Sequence, residues 1–230
     1  GRRKAKPLVC TFHSYCVRIL RKHIQQLGYP KKFTIYARGD QEGLARTVLR
    51  QIHIPSNQMR PGDLLFFISS WKSRAIDPAQ AEALASTDKE HIAAVGYRRY
   101  QRELKSQGAV DFDDLLLCTD DLFTRFPEIR RQEAGAFDHV LIDEYQDTNA
   151  TQYRIVTALA KDHRNLCVVG DDDQSIYRWR GAEVQHLLRF SENWPEAVTV
   201  TLEENYRSTA SILELANTLI AYNKMRFPKV

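Results

Sequence analysis

Two short apolar segments, each followed at once by acidic residues, decide the fold of this chain: Val140-Leu141-Ile142-Asp143-Glu144 and Leu166-Cys167-Val168-Val169-Gly170-Asp171-Asp172-Asp173. Both segments predict short, buried strands, and a helical pattern that begins near Thr148 separates them. Strand, helix, strand is the alternation typical of a parallel α/β sheet. Ligands of such sheets bind beyond the carboxyl ends of the strands, where both acidic groups are expected to lie.

These acidic residues have two interpretations. A strand that ends in Asp-Glu is the Walker B arrangement, in which the Asp binds Mg²⁺ and the Glu takes a proton from the attacking water. Either group alone could equally be a set of turn and helix-cap residues. Because two such groups occur together, nucleotide hydrolysis becomes the leading class of function.

The segments on either side of the two strands are predicted from their periodicity. Apolar residues recur at three and four from Phe12 to Leu27, after Asp40, after Pro61 and from about Asp88 to Leu104, which predicts that residues 14–124 are all helical. A third strand is predicted over Ala197 to Leu202, and a helix is predicted to begin near Ser208.

Composition sets broad limits on the function. With 43% hydrophobic and 27% charged residues, the 230-residue chain is expected to be globular. A net charge of +4 suits nucleic acid but is common in other proteins. The four cysteines form no C-x-x-C pair and predict buried, reduced thiols rather than a zinc site or disulfides. No apolar run reaches the ~20 residues of a membrane span, so a soluble, cytoplasmic protein is expected.

Three long motifs resemble motifs II, III and IV of the UvrD/Rep/PcrA helicases of superfamily 1, in the same order and spacing: Leu141 to Asn149 (LIDEYQDTN), Val169 to Ala182 (VGDDDQSIYRWRGA) and Leu202 to Ser208 (LEENYRS). Two shorter segments are also similar to segments of that family, Thr11-Phe12-His13-Ser14 and Val110-Asp111-Phe112-Asp113-Asp114-Leu115. The resemblance implies an ATP-dependent helicase that moves 3′ to 5′ on single-stranded DNA and unwinds duplex DNA, with possible repair or replication partners in the bacterial cytosol.

The resemblance implies roles at four positions of the nucleotide site. Asp143 is expected to hold Mg²⁺, Glu144 to act as the general base, and Gln174 to sense the γ-phosphate of ATP and couple it to DNA. Arg207 is expected to reach the γ-phosphate, which suits a planar guanidinium. Without the motif, Arg207 would be read as a surface salt-bridge partner of Glu203 or Glu204.

Single-stranded DNA is expected to contact a separate set of residues. The resemblance assigns Trp179 to stacking on bases, with Tyr177 and Arg180 beside it. Thr11 and His13 are expected to donate hydrogen bonds to the DNA backbone, although Thr11 could be a helix N-cap and His13 an ordinary surface residue. Asp111, Asp113 and Asp114 are read as acids in the first turn of a helix, without a catalytic role. Trp71 and Trp194 are read as packing residues.

The family pattern is incomplete in this sequence. A motor of this kind needs G-x-x-x-x-G-K-[ST] to cradle the phosphates, and no Gly-Lys pair occurs in the chain. The expected fold is therefore a partial RecA-like P-loop NTPase sheet with an inserted all-helical subdomain. Residues 1–13 would end a first segment of lobe one, 14–124 form the insertion, 125–200 complete lobe one, and 201–230 begin lobe two. Such a fragment is expected to be inactive as an ATPase by itself.

Two alternatives remain open at this stage. The chain could be a non-catalytic module that binds DNA or a repair partner. It could also belong to a helicase-nuclease of the AddA or RecB kind, although the Gly170 to Tyr177 segment is more similar to the simpler helicases.

Overall fold

The structure is a computed structural model that describes residues 6–223 and Arg226. The chain forms two compact units. The first comprises Gly1–Val140 and Asn149–Asn165, and the second comprises Leu141–Thr148 and Leu166–Val230.

The first unit is predominantly helical. Its helices are α1 (Phe12–His23), α2 (Arg38–Gln51), α3 (Pro61–Ser73), α4 (Pro78–Leu84), α5 (Asp88–Ser106), α6 (Phe112–Arg125), α7 (Pro127–Ala134) and α8 (Ala150–Ala160). A 3₁₀ turn over Ile24–Leu27 extends α1, and Gly28 ends it in the left-handed conformation at φ 77°. The helices predicted from periodicity are therefore confirmed.

Side chains at the helix starts explain several of these boundaries. Thr11 caps α1 by accepting the Ser14 N–H at 3.2 Å. Asp77, Thr87 and Asn149 cap α4, α5 and α8 in the same way. Each supplies an oxygen to a backbone N–H that has no partner within the helix.

Two apolar clusters form the core of this unit. One is built mainly from α1, α6 and α8 and includes Ile19, Leu115 and Ile155. The other is built mainly from α2, α3 and α5 and includes Trp71, which the sequence predicted to be a packing residue. The prediction that residues 14–124 are all helical was wrong in one respect, because β1 (Thr34–Ile35) pairs in parallel with β2 (Ala109–Val110).

The second unit contains short elements at the ends of two parallel strands. β3 (Val140–Ile142) pairs with β4 (Leu166–Val168), and the unit also holds α9 (Gln185–Leu188), α10 (Phe190–Asn193) and α11 (Ala210–Ile220). Three 3₁₀ turns occur at Tyr145–Asp147, Asp172–Gln174 and Arg178–Arg180. Trp194 is buried, as predicted.

Three predictions about this region need correction. Ala197 to Leu202 is not a strand, because it has no neighbouring strand to pair with in the described part and Val198, Val200 and Leu202 are all exposed. The strands β3 and β4 are half-buried on one face and exposed on the other, where Leu141 and Cys167 lie, so they are not buried strands. The cysteines are free as expected, but Cys10 and Cys167 are exposed rather than buried.

No helix in the described part of the chain is long and apolar enough to cross a membrane.

Candidate functional site

The acidic residues that follow β3 and β4 lie at one edge of the small sheet. The Val169 N–H donates to the Ile142 carbonyl at 2.8 Å, and the Tyr145 N–H donates to the Val169 carbonyl at 2.9 Å. Residue numbers rise together along both partners, so the strands are parallel and their carboxyl ends are adjacent. The predicted meeting of the two acidic groups is therefore confirmed.

The first acidic group is held in an unusual backbone conformation. Glu144 has φ 51° and ψ 43°, the left-handed region that a residue with a Cβ adopts at a cost in free energy. Its N–H donates to Oδ1 of Asp143 at 2.9 Å. Both side chains are exposed, so they are accessible to a ligand and to water.

A buried amide connects the two strand ends. Gln146 is 1% exposed, and its Nε2 donates to Oε2 of Glu144 at 2.7 Å. Its Oε1 accepts the Asp171 N–H at 3.0 Å. The Gln146 side chain therefore forms a hydrogen bond to one group of each acidic segment at the same time.

The second acidic segment continues these contacts. Gln174 Nε2 donates to Oδ2 of Asp171 at 2.8 Å, while Oδ1 of Asp171 accepts the Asp173 N–H at 3.1 Å. Gly170 allows the close approach of the two segments, since a Cβ at this position would lie 2.7 Å from Oε1 of Gln146. Only glycine fits there without displacing the amide.

The 3₁₀ turn that follows Glu144 packs against the aromatic ring of Phe190. Tyr145 is fully buried and meets Phe190 edge to face, with 5.8 Å between ring centroids. Thr148 Oγ1 donates to the Tyr145 carbonyl at 2.7 Å and closes the turn. Burial, followed by the nearby charge of Glu144, raises the pKa of Asp147 above its ordinary value.

The donor set fits a magnesium ion that is bound mostly by other ligands. No group of three or more His, Cys, Asp or Glu residues within the described residues could hold a metal. Mg²⁺ commonly takes only one or two protein carboxylates and completes its shell with water and substrate phosphates. The exposed carboxylate of Asp143 can supply such a ligand.

Arg207 lies in an exposed segment and takes no part in the hydrogen bonds described above. Asn205 Oδ1 accepts the N–H groups of Arg207 and Ser208 at 2.9 and 2.8 Å and shapes the turn before α11. Glu204 accepts a hydrogen bond from the Tyr206 hydroxyl. Among the ion pairs of the described residues, none joins Arg207 to Glu203 or Glu204.

The aromatic and basic segment at residues 177–180 is accessible. Trp179 is 72% exposed and Tyr177 is 39% exposed. Arg180 ends a 3₁₀ turn, but its side chain lies outside the described part of the structure. An indole with most of its surface in water offers a stacking face for a base.

Thr11 and His13 lie in the first unit, and the structure adds an aromatic partner that sequence reasoning missed. The His13 ring stacks on Phe112 with 4.2 Å between centroids and 27° between planes. Phe112 is 54% exposed, although it lies only two residues after the buried strand β2. Partial burial lowers the pKa of His13, which favours a neutral ring. Thr11 is the N-cap of α1, as the alternative interpretation had it.

Comparisons with known proteins agree with the motif pattern. A sequence profile of the UvrD/REP helicase N-terminal domain matches residues 2–195. A curated protein from Staphylococcus epidermidis, "ATP-dependent DNA helicase PcrA", is 45% identical over 219 residues, which are 95% of this chain and 30% of that protein. The protein of the same name from Staphylococcus aureus gives the same identity and coverage. The chain thus spans about 30% of the length of the curated relatives it matches.

Proposed function

The chain belongs to the UvrD/REP helicase family, and we propose that it supplies one catalytic face of the ATP-hydrolysing motor of a DNA helicase. The observation that carries the proposal is the convergence of Asp143, Glu144 and Gln174 at the carboxyl ends of two adjacent parallel strands. This is where open α/β sheets bind their ligands. In this proposal the sheet is part of a RecA-like lobe, and the four predicted segments keep their three boundaries, after residues 13, 124 and 200.

Each residue of the site has a defined task in this proposal. Asp143 would hold Mg²⁺, and the ion would supply positive charge against the negative charge that develops on the ATP phosphates. Glu144 orients the attacking water and accepts its proton. Gln174 senses the γ-phosphate, and Arg207 reaches it with a planar guanidinium.

A DNA path is the second part of the proposal. The exposed Trp179 and Tyr177 offer stacking faces, and Arg180 offers a cation for phosphates. The stack of the half-buried His13 on the exposed Phe112 supports a further contact near Thr11. We propose that the strand is single-stranded DNA, that movement is 3′ to 5′, and that the work is done on DNA in the bacterial cytosol, with repair or replication proteins as partners.

Hydrolysis also needs a phosphate-binding loop, which these 230 residues do not contain because they have no Gly-Lys pair. The 230-residue chain by itself is therefore proposed to be inactive. Activity has to be measured on the full-length protein that carries this sequence.

The test compares Glu144→Gln with Glu214→Gln in that protein. Glu214 lies on α11 and is exposed, so the same chemical change there controls for loss of one charge. We expect Glu144→Gln to bind ATP and single-stranded DNA normally but to lower DNA-stimulated kcat by roughly 10²-fold or more. Equal DNA-stimulated rates in the two variants would remove the proposed role of Glu144, whereas a wild-type protein without DNA-stimulated hydrolysis would leave a DNA-binding module as the better description.

A further inference from the structure

We propose that Gln146 is a positioning residue that couples the general base to the residue that senses the nucleotide. The inference rests on the proposed function. The path of hydrogen bonds runs from Glu144 through Gln146 to the Asp171 backbone and then through the Asp171 carboxylate to Gln174. The three bonds measure 2.7, 3.0 and 2.8 Å between heavy atoms.

The chemistry of the contacts fixes the orientation of the Gln146 amide. Its Nε2 faces a carboxylate oxygen, which can only accept, and its Oε1 faces a backbone N–H, which can only donate. A flipped amide would place oxygen against oxygen and nitrogen against N–H, so both contacts would become repulsive. Only one orientation serves both strand ends.

The surroundings prevent Gln146 from adjusting independently of them. The side chain is 1% exposed, and the Gly170 backbone approaches it so closely that a methyl group there would meet Oε1 at 2.7 Å. Glu144 stands in the left-handed conformation immediately before the turn that carries Gln146. A shift of the Asp171 backbone therefore has to move the Gln146 amide or break its bond.

This arrangement links two events of the proposed cycle. Gln174 is exposed and hydrogen-bonded to Asp171. A nucleotide or DNA contact that draws Gln174 away therefore breaks this hydrogen bond and lets Asp171 shift. Through Gln146, the same change alters where the Glu144 carboxylate sits. Because a misplacement of about 1 Å can cost roughly 10²-fold in rate, a small movement is sufficient to switch hydrolysis on or off.

Gln146→Met in the full-length protein is the primary test. Methionine keeps roughly the length and volume of the glutamine side chain, but it can hydrogen-bond neither to the Glu144 carboxylate nor to the Asp171 N–H. We expect DNA-saturated kcat to fall at least tenfold, KM for ATP to change less than about twofold, and the ratio of rates with and without single-stranded DNA to approach one. Circular dichroism and DNA affinity should match the wild type.

Asp171→Ala interrupts the same path of hydrogen bonds at a second point. It removes the carboxylate that is bonded to Gln174 but leaves the backbone N–H that is bonded to the buried Gln146 amide. It should lower the same stimulation ratio, and the double variant should be no worse than the poorer single variant, as expected of residues that act as a unit.

The Glu144→Gln protein separates the two proposals. Wild-type hydrolysis that is stimulated by DNA and lost in Glu144→Gln establishes the general base. In that case, an unchanged stimulation ratio in Gln146→Met and Asp171→Ala would overturn the coupling path alone. Absence of stimulated hydrolysis in the wild type would overturn the proposed function first.

Discussion

Trp179 is the residue whose exposure most directly bears on DNA binding. Its side chain is 72% exposed, so most of its surface is accessible to a base. Stacking on an aromatic side chain is worth about 1–3 kcal/mol per base. Trp179→Ala should therefore raise the Kd for a labelled single-stranded oligonucleotide about 5- to 150-fold, as measured by fluorescence anisotropy.

Tyr222→Ala is the matched control for this substitution, since Tyr222 is another largely exposed aromatic residue in the same unit. Its effect on the Kd should be within about twofold of wild type. A Trp179→Ala protein that binds as tightly as the Tyr222→Ala protein would show that the indole does not contact the DNA.

Lys72 is fully buried between the carboxylates of Asp111, which caps α6, and Asp114, which lies in the first turn of that helix. Its Nζ lies 2.6 Å from Oδ2 of Asp111 and 2.7 Å from Oδ1 of Asp114. Burial acts to lower the pKa of Lys72, but the two carboxylates together raise it well above its ordinary value. Burial, then the charge of Asp111, raises the pKa of Asp114 to about 6.

These shifts predict a pH dependence of stability. Because the pKa of Asp114 is higher in the folded protein than its ordinary 3.8, its stabilising contribution is complete below pH 3.8 and is lost as the pH rises through about 6. Over this pH range the free energy of unfolding falls by at most about 3 kcal/mol. Asp114→Asn should flatten the dependence of the unfolding midpoint on pH between 4 and 6.

Asp121→Asn serves as the comparison for that measurement, since Asp121 lies on the same helix in an exposed pair with Arg125. It should leave the pH profile as in the wild type. An Asp114→Asn profile as steep as that of Asp121→Asn would exclude Asp114 as the group responsible.

Single residues of the site were predictable to different degrees. Asp143 and Glu144 follow directly from a strand that ends in acids, and Gln174 and Trp179 follow from the long motifs. The bridging contacts of Gln146 were not predictable, because they depend on the left-handed backbone of Glu144 and on the approach of Gly170. Neither feature has a local sequence signal.

At the scale of elements, α5 packs closely on α3 through a glycine. A Cβ at Gly96 would lie 2.7 Å from Cδ1 of the buried Leu64, whereas a Cβ at Gly43 of α2 would meet no atom within 4 Å. Gly43→Ala should stabilise the protein by about 0.5–1 kcal/mol through helix propensity. Gly96→Ala gains the same propensity but overpacks the core, which costs about 1–3 kcal/mol.

Thermal denaturation of the two variants measures this difference. Gly43→Ala should raise Tm and Gly96→Ala should lower it. If both substitutions raised Tm, the contact between α3 and α5 would be looser than the structure has it.

The two short strands that were not predicted from the sequence have no periodic pattern of apolar residues. β1 and β2 are two residues each, and Thr34 pairs with Ala109 far along the chain. Conversely, the alternating apolar residues from Ala197 to Leu202 predicted a strand that does not form, since a strand needs a hydrogen-bonding neighbour. Long amphipathic helices such as α1 and α5 were predictable because their periodicity persists over several turns.

As a whole molecule, the chain is proposed to hold part of a nucleotide site whose use depends on DNA. We propose that the acids at the ends of β3 and β4 supply the chemistry of hydrolysis and that the exposed aromatic residues contact the DNA strand. In this account the two act together only in the full-length protein, because the phosphate-binding loop is absent from these 230 residues.

The most direct measurement is the steady-state rate of ATP hydrolysis by the full-length protein, titrated with single-stranded DNA. We expect a saturable rise in kcat with DNA concentration. A folded protein that binds the DNA yet hydrolyses ATP at the same rate with and without it would exclude a DNA-dependent motor.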